Sequence, residues 1–181
     1  MRPNFLKNNL IVAGLTLAVG LAGFPGLLSA STGPATANLN EKVRHELVML
    51  PYLTIFDNLA FEVNGNEVTL KGEVRNPTLK SDAERTVKSI PGVETVTNKI
   101  TVLPVSTMDD HIRLATARAI YGYGPLHRYS LGAHPPILII VDNGNVTLAG
   151  VVANEMDKNL AYLRASQVPG VFSVTNDLRI D

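Results

Sequence analysis

The sequence predicts an α+β fold: two tandem helix-strand-strand-helix-strand units, each a two-layer sandwich, behind an N-terminal signal peptide. Two observations predict the duplication. Val68-Thr69-Leu70-Lys71-Gly72-Glu73-Val74 returns 78 positions later as Val146-Thr147-Leu148-Ala149-Gly150-Val151-Val152, with five of seven residues unchanged. The same displacement carries Pro91-Gly92-Val93-Glu94-Thr95-Val96-Thr97-Asn98 onto Pro169-Gly170-Val171-Phe172-Ser173-Val174-Thr175-Asn176, with six of eight unchanged. Two blocks at one offset mark an internal repeat. The class follows from the apolar pattern, which alternates between the period of a helix and that of a strand within each copy.

The first unit is assigned to residues 38–104. Asn40 is a candidate cap for a helix starting near Glu41. Val43, Leu47 and Leu50 give it one apolar face, and Pro51 stops it. Leu59, Phe61 and Val63 alternate with Ala60 and Glu62 as a half-buried strand. Asn64-Gly65-Asn66 has turn chemistry, and Val68, Leu70, Gly72 and Val74 continue the alternation, completing a hairpin. Asn76-Pro77 opens a second helix with the buried stripe Leu79, Ala83, Val87 and Ile90. Val96, Ile100 and Val102 mark a third strand. Thr69, Lys71, Glu73, Thr95, Thr97, Lys99 and Thr101 compose a solvated outer sheet face.

The second unit is assigned to residues 105–181. Asp109-Asp110 is suited to cap and charge a helix start. Ile112, Ala115, Ala119 and Ile120 form the stripe, with an end by Gly122. About nine extra residues then interrupt the repeat, within an additional loop at 121–136. It concentrates three tyrosines, two histidines and Arg128. The loop is a candidate site, since loops on a rigid scaffold often carry function, or a cap whose tyrosines cover one end of the core.

Ile137, Ile139 and Val141 match Leu59, Phe61 and Val63 and are expected to face the helices. Leu138 and Ile140 then share the outer face with Ala149 and Val151, where the first unit has Ala60, Glu62, Lys71 and Glu73. Phe172 replaces Glu94 nearby. Such an apolar face is usually covered. The cover is either intramolecular, from the loop or the first unit, or a partner protein or lipid. The candidate contact residues are Leu138, Ile140, Val151 and Phe172, with Arg128 and Tyr129 nearby. Gly72, Gly92, Gly150 and Gly170 are structural motif glycines. For Gly72 and Gly150, inside strands, close helix packing or a bulge is the reading preferred over approach of a ligand.

Residues 1–37 have the order of a signal peptide. Arg2 and Lys7 precede an apolar stretch, and a small-residue run offers cleavage near Ala30 or Ala37. The alternative is an uncleaved anchor, because residues 10–28 form 19 uncharged positions. Export to the periplasm, or otherwise out of the cytoplasm, is the expectation. The chain has no cysteine and zero formal net charge. Taking Arg2 and Lys7 from the 16 basic residues leaves 14 against 16 acidic, a net of −2. Nucleic acid is therefore not an expected partner. His45, His111, His127 and His134 are scattered, no catalytic or phosphate-binding motif is present, and neither an enzyme nor a cofactor or metal is expected.

Val-Thr-Leu-x-Gly-x-Val on the second strand, with Gly-Val-x-x-Val-x-Asn before the third, resembles the BON domain. The motifs stand at 68–74 with 92–98 and at 146–152 with 170–176. The resemblance covers essentially everything after the leader. It implies a non-enzymatic envelope protein that attaches to a phospholipid membrane surface or an envelope protein, in osmotic or envelope stress protection. A chaperone-like holdase or a structural subunit of a secretion or cell-wall assembly is the alternative.

Overall fold

The computed structural model describes residues 34–132 and 134–181 of the chain. The leader reading at 1–33, with the cut near Ala30, lies outside the described residues. In the first repeat, α1 spans Pro34–Val48, β1 Asn58–Asn64, β2 Glu67–Val74, α2 Pro77–Lys88, β3 Thr95–Asn98 and β4 Thr101–Val102. Helix α1 starts earlier than Glu41, so Asn40 lies within it rather than at its cap. Proline is tolerated in a first turn and alanine favours helix, which lets 34–37 extend it; Ala37 falls in this added turn.

Strand β2 is central, antiparallel to β1 and parallel to β3 and β4. The expected third strand is present but broken at 99–100, where the Asn98 side-chain carbonyl accepts the Ile100 N–H at 3.1 Å. Its counterpart in the second repeat runs unbroken. Val43, Leu47, Leu50, Leu79, Ala83, Val87 and Ile90 are all buried against Val68, Leu70 and Val74. Full burial of each Leu, Ile or Val contributes about 1.5–3 kcal/mol. On the outer face, Lys71 and Glu62 pair at 2.7 Å across the hairpin.

In the second repeat, α3 spans Thr107–Tyr121, a 3-10 helix Gly124–Ser130, β5 Ile137–Asp142, β6 Asn145–Val152, α4 Glu155–Ser166 and β7 Ser173–Ile180. The sheet order is β5-β6-β7, with the same directions as in the first repeat. Ser106 caps α3, accepting the Asp109 N–H at 3.1 Å. Asp109 therefore does not cap. Its buried carboxylate instead accepts the N–H groups of Asn143 at 3.1 Å and Gly144 at 2.8 Å, tying α3 to the β5–β6 turn. The buried stripe of α3 is Ile112, Arg113, Thr116 and Ile120, with Ala115 and Ala119 only half-buried. Arg113 is accommodated because its guanidinium donates to the Val141 carbonyl at 2.6 Å and to Asp110 at 2.8 Å.

The connection before β5 covers 122–136, against 49–57 before β1, so it is longer by six residues rather than nine. The repeats meet along β5, whose Ile139 N–H donates to the Ile55 carbonyl at 2.7 Å. Ile55 and Phe56 pack on the second core. Ile137, Ile139 and Val141 are fully buried on the helix side, as expected. On the opposite face Ile140 is only 5% exposed, and Leu138, Ala149 and Val151 are half-buried. At Ile140 the apolar face is thus already covered within this chain.

Candidate functional site

The two hairpin turns differ in a way that places an aromatic side chain in solvent. In the first repeat Gly65 has φ +61° and Asn66 does not, the pattern of a type II′ turn. In the second repeat both central residues are left-handed, Asn143 at +49° and Gly144 at +77°, the pattern of type I′. The first turn carries a polar clasp: the Asn66 side-chain amide donates to Glu94 at 2.8 Å, and the Glu94 N–H donates to the Asn66 carbonyl at 2.9 Å.

At the 78 offset these residues become Gly144 and Phe172. The backbone bond survives, with the Phe172 N–H 2.9 Å from the Gly144 carbonyl. The phenyl ring occupies the side-chain space of residue 144, where a Cβ would stand 2.5 Å from Phe172 Cδ2. Phe172 is 82% exposed. Next to it, a Cβ at Gly170 would lie 4.0 Å from Met108 Sδ, and Met108 is 64% exposed. This end of the second repeat therefore presents an aromatic ring and a thioether to solvent. Met108 and Gly144 escaped the reading of the sequence. The signal was the joint exchange of Asn66 and Glu94 for Gly144 and Phe172.

The other candidate residues are elsewhere. Leu138 pairs with Ala149 at the opposite end of β5. At strand rise it is about 15 Å along the hairpin from Gly144. Val151 lies beyond it, and Ile140 is enclosed. Arg128 and Tyr129 belong to the 3-10 helix, where they clamp the start of α4. The Tyr129 hydroxyl donates to Asp157 at 2.6 Å and accepts the Ala153 N–H at 2.9 Å. The Arg128 guanidinium also donates to Asp157 and stands 5.0 Å over the Tyr129 ring. Leu126 from the same helix is fully buried, with Tyr121, Tyr123 and Tyr129 packed around the core. The Tyr121 hydroxyl donates to the Ile137 carbonyl at 2.5 Å, and burial raises its pKa well above that of a free phenol. The extra loop is thus a cap on the core.

Gly72 and Gly150 have φ of +106° and +114°, and a Cβ on either would stand 1.9 Å from the carbonyl oxygen of Asn58 or Pro136. The close approach is by backbone of the neighbouring strand. Gly92 and Gly170 are likewise left-handed, after α2 and α4. Among the described residues no group of three or more His, Asp or Glu is arranged to hold a metal ion. None of their helices is long and apolar enough to cross a membrane.

The BON domain family matches residues 35–104 and 130–181. The chain belongs to the BON-domain family. The second match begins at the end of the 3-10 helix, leaving α3 outside it. The family match supports an envelope- or membrane-associated role of a generally non-enzymatic kind. Comparison with curated proteins gives no match. One similar solved structure is the C-terminal domain of CdsD, the structural protein of the type III secretion system of Chlamydia trachomatis. It has 14% identity and a TM-score of 0.34, covering 80% of this chain and 98% of that one. A second structure of CdsD has 13% identity and a TM-score of 0.32, covering 80% and 92%. Likeness at this level carries no inference about this BON-domain chain.

Proposed function

We propose that this BON-domain chain is an exported, non-enzymatic envelope protein that attaches to a phospholipid surface through the β5–β6 turn end of its second repeat. The observation that carries this reading is Phe172, held out over Gly144 beside Met108 where the first repeat has the Asn66–Glu94 clasp. Aromatic side chains partition into the headgroup boundary of a bilayer, and exposed apolar side chains beside them add binding through buried area. With formal charges balanced, attraction to anionic lipid supplies little, so the contact rests on apolar insertion. Arg128 and Tyr129 clamp the start of α4, at the end of the hairpin away from the turn, and take no part in this contact.

The test is vesicle co-sedimentation of the chain as a cell processes it, with the N-terminus read by mass spectrometry to place cleavage near Ala30 or Ala37. The triple variant Asn143→Gly, Gly144→Asn and Phe172→Glu transplants the first repeat's Gly-Asn turn together with its clasp. Its binding should fall by about ten- to a hundredfold, since losing one inserted aromatic is worth roughly 1.5–3 kcal/mol. Undiminished binding by the folded variant would refute the assignment of this end, and binding to an envelope protein instead would redirect it.

A further inference from the structure

The two repeats differ in what closes their cores at the helix-to-first-strand connection, and the first repeat is left with a cavity there. Leu59 and Phe61 are the counterparts of Ile137 and Ile139, yet they are half-buried where the second pair is fully buried. In the second repeat Leu126, from the longer connection, fills that core. The first repeat has six fewer residues in this connection. A cleft of about 290 Å³ remains, walled by Leu47 of α1, Leu59 and Phe61 of β1, and Leu138 of β5. Arg44 and His134 also line it.

The cleft carries two groups of opposite charge, Arg44 and Asp57, and they differ in what already holds them. The Asp57 carboxylate is already occupied by the Thr54 N–H, the Thr54 hydroxyl and the Arg75 N–H, at 3.0, 2.6 and 2.8 Å. Arg44 is exposed and has no ion pair among the described residues. The volume is at the lower edge of the range for small-molecule sites, about 300–1,000 Å³, which suits one apolar chain and not a whole two-chain lipid. We infer that this cleft binds a single acyl chain whose acidic head group is met by Arg44. Leu138 then serves as a wall of a ligand pocket made by both repeats. This inference is independent of the role proposed for Phe172.

Two ligands share this chemistry, a free fatty acid and a monoacyl phospholipid. Isothermal titration of the full chain with dodecanoate and with dodecanoyl lysophosphatidate, both below their micelle-forming concentrations, separates the sources by which binds more tightly. One-to-one binding is expected for at least one of them. Leu138→Trp, which fills the cleft, should abolish it, and Arg44→Glu, at an exposed position, should weaken it at least tenfold while leaving the circular dichroism spectrum unchanged. Dodecylamine should bind at least tenfold more weakly than the acid. Absence of one-to-one binding for both acids, unchanged affinity in Arg44→Glu, or equal affinity for the amine would each overturn the assignment.

Discussion

Gly150 shows how a single backbone atom dictates a residue. The Pro136 carbonyl oxygen occupies the place of its side chain, and its φ of +114° is one that L side chains rarely adopt. Gly150→Ala must move the strand or break the β5–β6 register. The expected loss is about 3–5 kcal/mol, read by urea denaturation followed by circular dichroism. An unchanged midpoint would show that the strand relaxes freely.

Tyr121 supplies a second test at this scale. Burial raises its folded-state pKa above the ordinary value of 10.0, so folding favours the neutral phenol. The contribution is complete below that value and is lost as pH rises through the folded-state pKa. Spectrophotometric titration of the five tyrosines should therefore show one ionising only as the alkaline transition unfolds the protein. Normal titration of all five in the folded state would contradict the buried placement.

Among the elements, the 3-10 helix Gly124–Ser130 is the feature that separates the repeats. It replaces an open corner with Leu126 and Tyr129, flanked by Tyr121 and Tyr123, and it fastens to α4 through Tyr129 and Asp157. Tyr129→Phe removes one donor from a buried carboxylate and one acceptor from the Ala153 N–H. A loss of about 1–3 kcal/mol is expected in thermal or urea unfolding, with secondary structure retained. A loss confined to a few tenths would mean water replaces the hydroxyl. Most of the elements were legible: apolar periods and the Asn76-Pro77 start located the strands and α2. Ser106-Thr107-Met108-Asp109 has the spacing of a capping box, which puts the cap at Ser106 and Asp109 at the third helical position. The true start of α1 was not legible, because Asn40 is an acceptable cap that earlier helix-favouring residues outcompete.

For the molecule as a whole, the two repeats are not beads on a string. Ile55 bonds to the outer edge of β5 and packs with Phe56 on the second core. A chain beginning at Val105 loses this edge cover and the packing of Ile55 and Phe56 on its core. It should aggregate, or unfold at a midpoint well below that of the whole chain, in size-exclusion chromatography and thermal melting. A monomeric second repeat with the stability of the intact protein would show that the junction contributes nothing.

What the sequence determined alone was the duplicated sandwich and which side of each strand meets the helices. Both follow from the periodicity of neighbours along the chain and from its recurrence at the 78-residue offset, which can be read without any contact between distant segments. The fate of the outer faces was decided only in three dimensions. Ile140 is covered, Leu138 lines a cleft and Phe172 stands in solvent, although all three are apolar residues on the same repeat. Burial there depends on what segments distant in sequence bring alongside, and no spacing within the repeat encodes that.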